Sequence, residues 1–129
     1  MKEAIVTDRA PAAIGPYSQA VRAGDFVFVS GQLPVDPSTG AMPEGVREQT
    51  RRVLANLAAV LKAAGLGTAD VVKTTVFMTD LKGFAEMNEE YARTFSAPAP
   101  ARATVEVRAL PKGALVEIEA VARVADKTR

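Results

Sequence analysis

The 129-residue chain contains no histidine and no cysteine. Without imidazole it lacks the side chain that ordinarily changes charge near neutrality, and without thiols it has no thiolate nucleophile, no disulfide and none of the usual zinc ligand sets. Long apolar runs are missing too: no stretch approaches the roughly 18 consecutive apolar residues of a membrane helix. The opening Met1-Lys2-Glu3-Ala4-Ile5-Val6-Thr7-Asp8-Arg9 mixes charges of both signs and has no apolar leader core. These absences lead to the expectation of a cytoplasmic protein with no membrane partner, and the lack of cysteine fits a reducing compartment. Charge of one sign is also absent. Sixteen Lys+Arg are set against 15 Asp+Glu for a net +1, with the signs interspersed, which argues against a nucleic-acid partner. Gly65-Leu66-Gly67 lacks the rest of a dinucleotide fingerprint, there is no phosphate-binding Gly-Lys-Ser/Thr loop, and no carboxylate spacing suggests a metal site. Any chemistry falls to Arg, Glu, Tyr, Ser, Asn and backbone groups.

A composition of 48% hydrophobic and 24% charged residues is that of a globular protein. A chain of this length fits one domain spanning residues 1–129, burying about two thirds of its unfolded surface. Tyr17 to Val21 and Phe26 to Ser30 read as strands joined at Ala23-Gly24-Asp25, so an N-terminal hairpin is expected. Residues 34–45 hold Pro34, Pro37, Gly40, Pro43 and Gly45 and read as a loop. Val46, Val53, Leu54, Leu57, Val60, Leu61 and Ala64 then recur at helical spacing, with Gly65 where a C-terminal cap belongs. Val71 to Met78 is rich in β-branched residues. After Asp80, the residues Phe84, Met87, Tyr91 and Phe95 share a helix face with Asn88, and Pro98 and Pro100 end that pattern. Two further strands follow, Ala101 to Val107 and Leu115 to Ala120, around a Leu110-Pro111-Lys112-Gly113 turn. The expected order is β-β-β-α-β-α-β-β. Two helices can cover only one face of such a sheet, so the other face must be polar, curl on itself or pack on another subunit.

Strand parity sets Ala101, Ala103, Val105 and Val107 on one side and Arg102, Thr104, Glu106 and Arg108 on the other. In the last strand Val116, Ile118, Ala120 and Ala122 oppose Glu117, Glu119 and Arg123. On parity alone the bland reading is favoured: solvated polar faces of an antiparallel pair. The competing reading makes Arg102 a bidentate fork for a substrate carboxylate and Glu117 the group that handles water. If the two strands form a hairpin, Arg102 and Glu117 lie on the order of 10 Å apart along it. A shared site would then need another topology, a long substrate or a neighbouring subunit. Tyr17 and Ser30 fall at element boundaries, where turn chemistry or core-margin packing is the plainer reading. Asn88 on an apolar helix face would, if buried, require hydrogen-bond partners.

Together, Gly15-Pro16-Tyr17-Ser18-Gln19-Ala20, Val29-Ser30-Gly31-Gln32-Leu33-Pro34, Val72-Lys73-Thr74-Thr75-Val76-Phe77, Met87-Asn88, Pro100-Ala101-Arg102-Ala103 and Glu117-Ile118-Glu119-Ala120 closely resemble the RidA (YjgF/YER057c/UK114) family of reactive intermediate deaminases. The resemblance implies an α+β, chorismate-mutase-like fold: a mixed six-stranded sheet backed by two helices, assembled as a homotrimer with sites in clefts between subunits. It implies that the last two strands are not neighbours in the sheet. It also implies hydrolytic deamination of reactive 2-imino or enamine acids, such as 2-aminoacrylate, to 2-oxo acids and ammonia, with no cofactor. Carried over by motif, Arg102 binds the carboxylate and Glu117 activates water. Ser30 and Gly31 line the pocket, Thr104 contacts the ligand through its backbone, and Tyr17 and Asn88 complete the walls. Relatives often carry cysteine in place of Thr104. The alternatives are a non-catalytic trimeric module that binds small carboxylates and, for some relatives, RNA cleavage or translation inhibition, against which the even charge and absent histidine weigh.

Overall fold

The computed structural model describes residues 1–124; the last five positions of the expected domain lie outside the described residues. Six strands form one sheet: β1 (Lys2–Ile5), β2 (Ala20–Ala23), β3 (Phe26–Gln32), β4 (Val71–Met78), β5 (Ala101–Glu106) and β6 (Val116–Arg123). Two helices, α1 (Val46–Ala63) and α2 (Phe84–Thr94), complete the regular structure along with short 3-10 turns. The order of elements is the one expected. The N-terminal hairpin is present, but its first strand starts only at Ala20. Tyr17, Ser18 and Gln19 run instead as extended loop, with the Ser30 N–H bonded to the Gln19 carbonyl at 3.0 Å.

Helix α1 ends as its glycine foretells. Gly65 adopts φ +77, the Leu66 N–H bonds back to the Leu61 carbonyl at 2.8 Å, and the Gly65 N–H to that of Lys62 at 2.9 Å. This is the paired C-terminal closure that a left-handed residue makes possible. The helix buries Val53, Leu57, Val60 and Leu61 against the sheet, where Val27, Val76, Met78, Val116, Ile118 and Ala122 meet them at zero exposure. Met87 and Tyr91 of α2 extend the same core.

The strands run in the order β1-β2-β3-β6-β4-β5. Strands β5 and β6 are therefore not partners, and the hairpin expected from local sequence does not form. Strand β5 pairs parallel to β4, with Thr74 beside Arg102 and Val76 beside Thr104. Strand β6 pairs antiparallel to β4 on its other side and to β3. The cause is α2. A helix between β4 and β5 supplies the crossover that parallel strands require, so β5 enters at the sheet edge and the chain must pass over β4 to reach its place as β6.

The parity reading of β5 is also corrected. Arg102 and Thr104 lie on the helix side and are partly buried, while Ala101, Ala103 and Val105 are exposed. In β6 the expected split holds: Val116, Ile118, Ala120 and Ala122 are buried, and Glu117 and Glu119 face away from the helices. The sheet face without helices carries Phe26, Phe28 and Val105 at 40%, 48% and 41% exposure, an apolar surface of the kind that marks a contact site.

A buried carboxylate that sequence reading missed ties the helices together. Glu90 of α2, its side chain 3% exposed, bonds Arg51 at 2.7 Å, Arg47 at 2.9 Å and Arg93 at 3.2 Å. Its pKa is held at about 2 against an ordinary 4.5; the Arg51 hydrogen bond is the largest cause, burial opposes it and Arg47 adds to it. Because the folded value lies below the unfolded one, the contribution to stability is complete above about pH 4.5 and is lost as pH falls towards 2. Thermal unfolding of wild type and Glu90→Gln should accordingly differ most near neutrality and converge across that window. A pH-independent gap would show that the carboxylate's charge is not what matters.

Candidate functional site

The residues expected to form one site fall into two groups on this chain. The first surrounds Glu117 in a cavity of about 500 Å³, whose walls include Tyr17, Ser30, Gly31 and Lys112, with Ile14, Leu33 and Val35 as apolar lining. A register shift in β3 between Val29 and Gln32 shapes it. At that bulge Ser30 and Gly31 leave the regular ladder opposite β6, as bulges do where a strand must re-aim its groups. The Ser30 hydroxyl donates to the Ser18 carbonyl at 2.6 Å, so towards a ligand it can act only as an acceptor unless it turns. Tyr17, 54% exposed, stands at the cavity mouth after Gly15, whose φ of +111 favours glycine.

Glu117 is half-buried and lies directly against Gly31. A Cβ on that glycine would overlap the carboxylate and sit 2.8 Å from its Cδ. Gly31 is thus required for close approach, not for an unusual backbone angle. Burial, and secondarily the like charge of Glu119, raise the Glu117 pKa above its ordinary value. Gly31→Ala should push the flexible carboxylate aside at small cost to folding. Near-wild-type thermal stability with at least about tenfold lower turnover is the expected outcome, and unchanged activity would detach Glu117 from the chemistry.

The second group lies on the helix side of β5, in a cavity of about 400 Å³ lined by Asn88, Tyr91, Phe95, Pro100 and Arg102. Arg102 is held by three neighbours. Its Nη1 donates to the Asn88 Oδ1 at 2.7 Å, and its guanidinium carbon lies 4.7 Å from the Tyr91 ring centroid and 5.4 Å from that of Phe84. Tyr91 is in turn fixed by a 2.7 Å hydrogen bond between its hydroxyl and the buried Thr74. Stacking and an amide acceptor orient the cation without neutralising it. Among the described residues Arg102 has no carboxylate partner, so its fork is open to an anion. Asn88 is exposed, not buried, and is Arg102's support. Thr104, two residues on along the same face, lines neither cavity. Its Oγ1 is buried without a hydrogen-bond partner.

Arg102 and Glu117 do not meet within one chain. They lie on opposite faces of the sheet, with β4 between their strands. Glu117 is level with Phe77 and so with Val105, three residues along from Arg102. Standard strand spacing and rise then put the two Cα atoms on the order of 14 Å apart. Sequence reading also missed the aromatic support of Arg102: Phe84 and Tyr91 share a helix face and read as core, and only the true face of β5 shows what they hold. Lys112 was read as turn; it adopts φ 61, unusual for a non-glycine residue, at the rim of the Glu117 cavity. Among the described residues no group of three or more acidic, histidine or cysteine side chains could hold a metal ion, and no helix is long and apolar enough to cross a membrane.

Comparison with known proteins agrees with these motifs. The profile of the family described as Endoribonuclease L-PSP matches residues 7–124. A RutC family protein of Pyrococcus horikoshii is 54% identical over 123 residues, covering 95% of this chain and 98% of that one. The 2-iminobutanoate/2-iminopropanoate deaminase of Salmonella typhimurium is 52% identical over 125 residues, covering 95% and 98%. Among solved structures, Escherichia coli TdcF with bound serine superposes with a TM-score of 0.91 at 48% identity, covering 95% of this chain and 99% of that one. RidA from a Psychrobacter species gives 0.92 at 49% identity, covering 95% and 99%. With its six-stranded α+β sheet, its ordered motifs and these full-length relatives, the chain belongs to the RidA (YjgF/RutC) family.

Proposed function

We propose that the protein hydrolyses 2-imino and enamine acids to 2-oxo acids and ammonia, at sites formed where the Arg102 cavity of one subunit meets the Glu117 cavity of its neighbour in a homotrimer. The observation that carries this reading is the separation of the two half-sites. Among the described residues, an anchor cation in no salt bridge lies on one face, a half-buried carboxylate in no salt bridge lies on the other, and each lines a cavity of its own. The uncovered apolar sheet face with Phe28 and Val105 supports assembly, because a second subunit would remove that surface from water. The imine deaminase of Salmonella, at 52% identity, supports the reaction class, and the serine bound to TdcF supports a ligand of amino-acid size.

The chemistry asks little of the protein. The partner subunit's Arg102 grips the substrate carboxylate through two parallel hydrogen bonds, which sets the C2 atom near Glu117. An enamine first takes a proton at C3 to become the imine. Water adds its oxygen to C2 of the protonated imine while Glu117 accepts the water proton. The resulting carboxylic acid returns that proton to nitrogen. The C–N bond breaks as the C2 hydroxyl gives its own proton to the Glu117 carboxylate and becomes the carbonyl, and ammonia leaves and takes up that proton as ammonium. A glutamate with a raised pKa is suited to both transfers. Ser30, Gly31 and Tyr17 bound the pocket.

The test is direct. Imino acids generated by an amino acid oxidase are incubated with the protein, semicarbazide traps the imine that remains, and 2-oxo acid is followed over time. Faster oxo-acid formation supports the proposal; none sinks it. Sedimentation velocity should show the mass of three chains. A purely ligand-binding module would hold a small carboxylate without turnover, and an RNA-directed activity would require binding that weakens with salt.

A further inference from the structure

We propose that Gln19, Gln49 and Asn56 are positioning residues that hold the walls of the Glu117 cavity in place. The chain has only five amide side chains, Gln19, Gln32, Gln49, Asn56 and Asn88. Asn88 supports Arg102, and each of the other four is at most 5% exposed. All four bond to backbone in the walls of that cavity or in the segments next to them. Gln19 accepts from the Thr7 N–H at 2.8 Å and donates to the carbonyls of Thr7, Ala10 and Pro11 at 3.0, 3.3 and 2.8 Å. Gln32 donates to the Ser30 carbonyl at 3.1 Å. Asn56 of α1, at zero exposure, donates to the carbonyls of Leu33 and Val35 at 2.9 Å each, while Arg52 bonds its Oδ1 at 3.2 Å. Gln49 donates to the Pro43 carbonyl at 3.0 Å and accepts from the Leu115 N–H at 2.8 Å, two residues ahead of Glu117.

The reason lies in what the walls are made of. Residues 6–19, 33–45 and 107–115 are loop or short turn, where strand and turn hydrogen bonds satisfy only some of the backbone groups, and buried backbone must be paired. A neutral amide carries two N–H donors and a carbonyl acceptor on one group, so it can bond several backbone groups from a single point inside a core. Placed on α1 and, for Gln19, immediately before β2, these amides tie the irregular segments to the rigid elements. A cavity built on loops would otherwise lack the precision that placing a water demands.

The inference takes the Glu117 cavity as half of the proposed site, and its test is separable from that reading. Gln49→Leu and Asn56→Leu keep volume and add no charge, but leave the loop groups without partners. Val60→Ala, in the core of α1 and outside the cavity lining, serves as a control for lost stability. All are assayed well below their unfolding midpoints. The amide variants should lose roughly tenfold or more in kcat for imine hydrolysis, with KM within about threefold because Arg102 is untouched. Val60→Ala should lose neither. Independently of turnover, a carbon-13 titration of the Glu117 carboxyl should move back towards an ordinary glutamate in the amide variants as the walls loosen, and stay raised in Val60→Ala. The charged and titratable groups facing it, Glu119 on its own strand with Lys112 and Tyr17 in the wall, are unchanged in every variant. Amide variants that titrate like wild type, or that lose no more activity than the control, would overturn the proposal. A wild type without imine turnover would dispose of the deaminase reading while the titration still decides this one.

Discussion

Arg102→Ala should lower kcat/KM for imine hydrolysis by roughly 30- to 1,000-fold, since a charge-assisted anchor for a carboxylate contributes about 2 to 4 kcal/mol. The effect should fall mainly on KM if the carboxylate is gripped equally in the ground and transition states, and on kcat if the grip also sets the approach of water. Arg102→Lys separates charge from shape. An ammonium keeps the attraction but cannot form the fork, nor present the planar group that the guanidinium sets 4.7 and 5.4 Å from the Tyr91 and Phe84 ring centroids. It should recover only part of the loss. Folding should be little affected, because Arg102 is partly exposed and the amide it leaves, on exposed Asn88, can turn to water. Full activity in Arg102→Ala, measured by the semicarbazide-trapping assay, would remove the anchor from the mechanism.

Glu117→Gln should abolish turnover while leaving affinity for the 2-oxo acid product near that of wild type. Removing a general base costs on the order of 10²- to 10⁴-fold, and the amide cannot take the water proton. In wild type the base is active only when ionised, so the rate must fall as pH drops through the Glu117 pKa. Burial, with Glu119 adding to it, raises that pKa, which places the acid limb above the ordinary 4.5. Glu119→Gln should move the limb down. The same sign applies to stability: a carboxyl whose folded pKa is raised opposes folding once ionised, so Glu117→Gln should be no less stable than wild type at neutral pH. Mixing decides whether the site is shared between subunits. Trimers reassembled from equal amounts of Arg102→Ala and Glu117→Gln chains should regain about one quarter of wild-type sites, those pairing an intact Arg102 with an intact Glu117 across an interface. No recovery in verified mixed trimers would confine each site to one chain.

Much of the fold was legible in local pattern. Helix α1 declared itself by apolar spacing and by Gly65, which closes it with φ +77. Strand β4 declared itself by its β-branched run, and β6 by an alternation that the structure keeps residue for residue. Strand β5 did not. Its alternation was seen, but its faces were assigned the wrong way round, because an apolar side was assumed to be the covered one. Here the alanines and Val105 lie on the face without helices, and Arg102 turns to the helices because aromatic rings, not aliphatic core, await it there. The Glu90 hub was equally hidden. Arg47 and Arg51 are about 40 residues from Glu90, and nothing in a local window joins them. The site residues were named by family motif, but their division into two cavities on opposite faces could not be read from motif order.

Sequence by itself determined which chemistries are closed to this protein, since a residue type that is absent cannot act in any fold. It also determined where helices and strands run, because their periods are properties of neighbouring residues. The order of strands, the face that each presents and the company each charge keeps were decided only in three dimensions. An alternating strand has two faces, and which one is covered depends on the elements that pack there; for β5 that choice rests with α2, which carries the strand across to the far edge of β4. The same crossover sets β4 between Arg102 and Glu117, which is why the proposed site calls on a neighbouring subunit to bring them together.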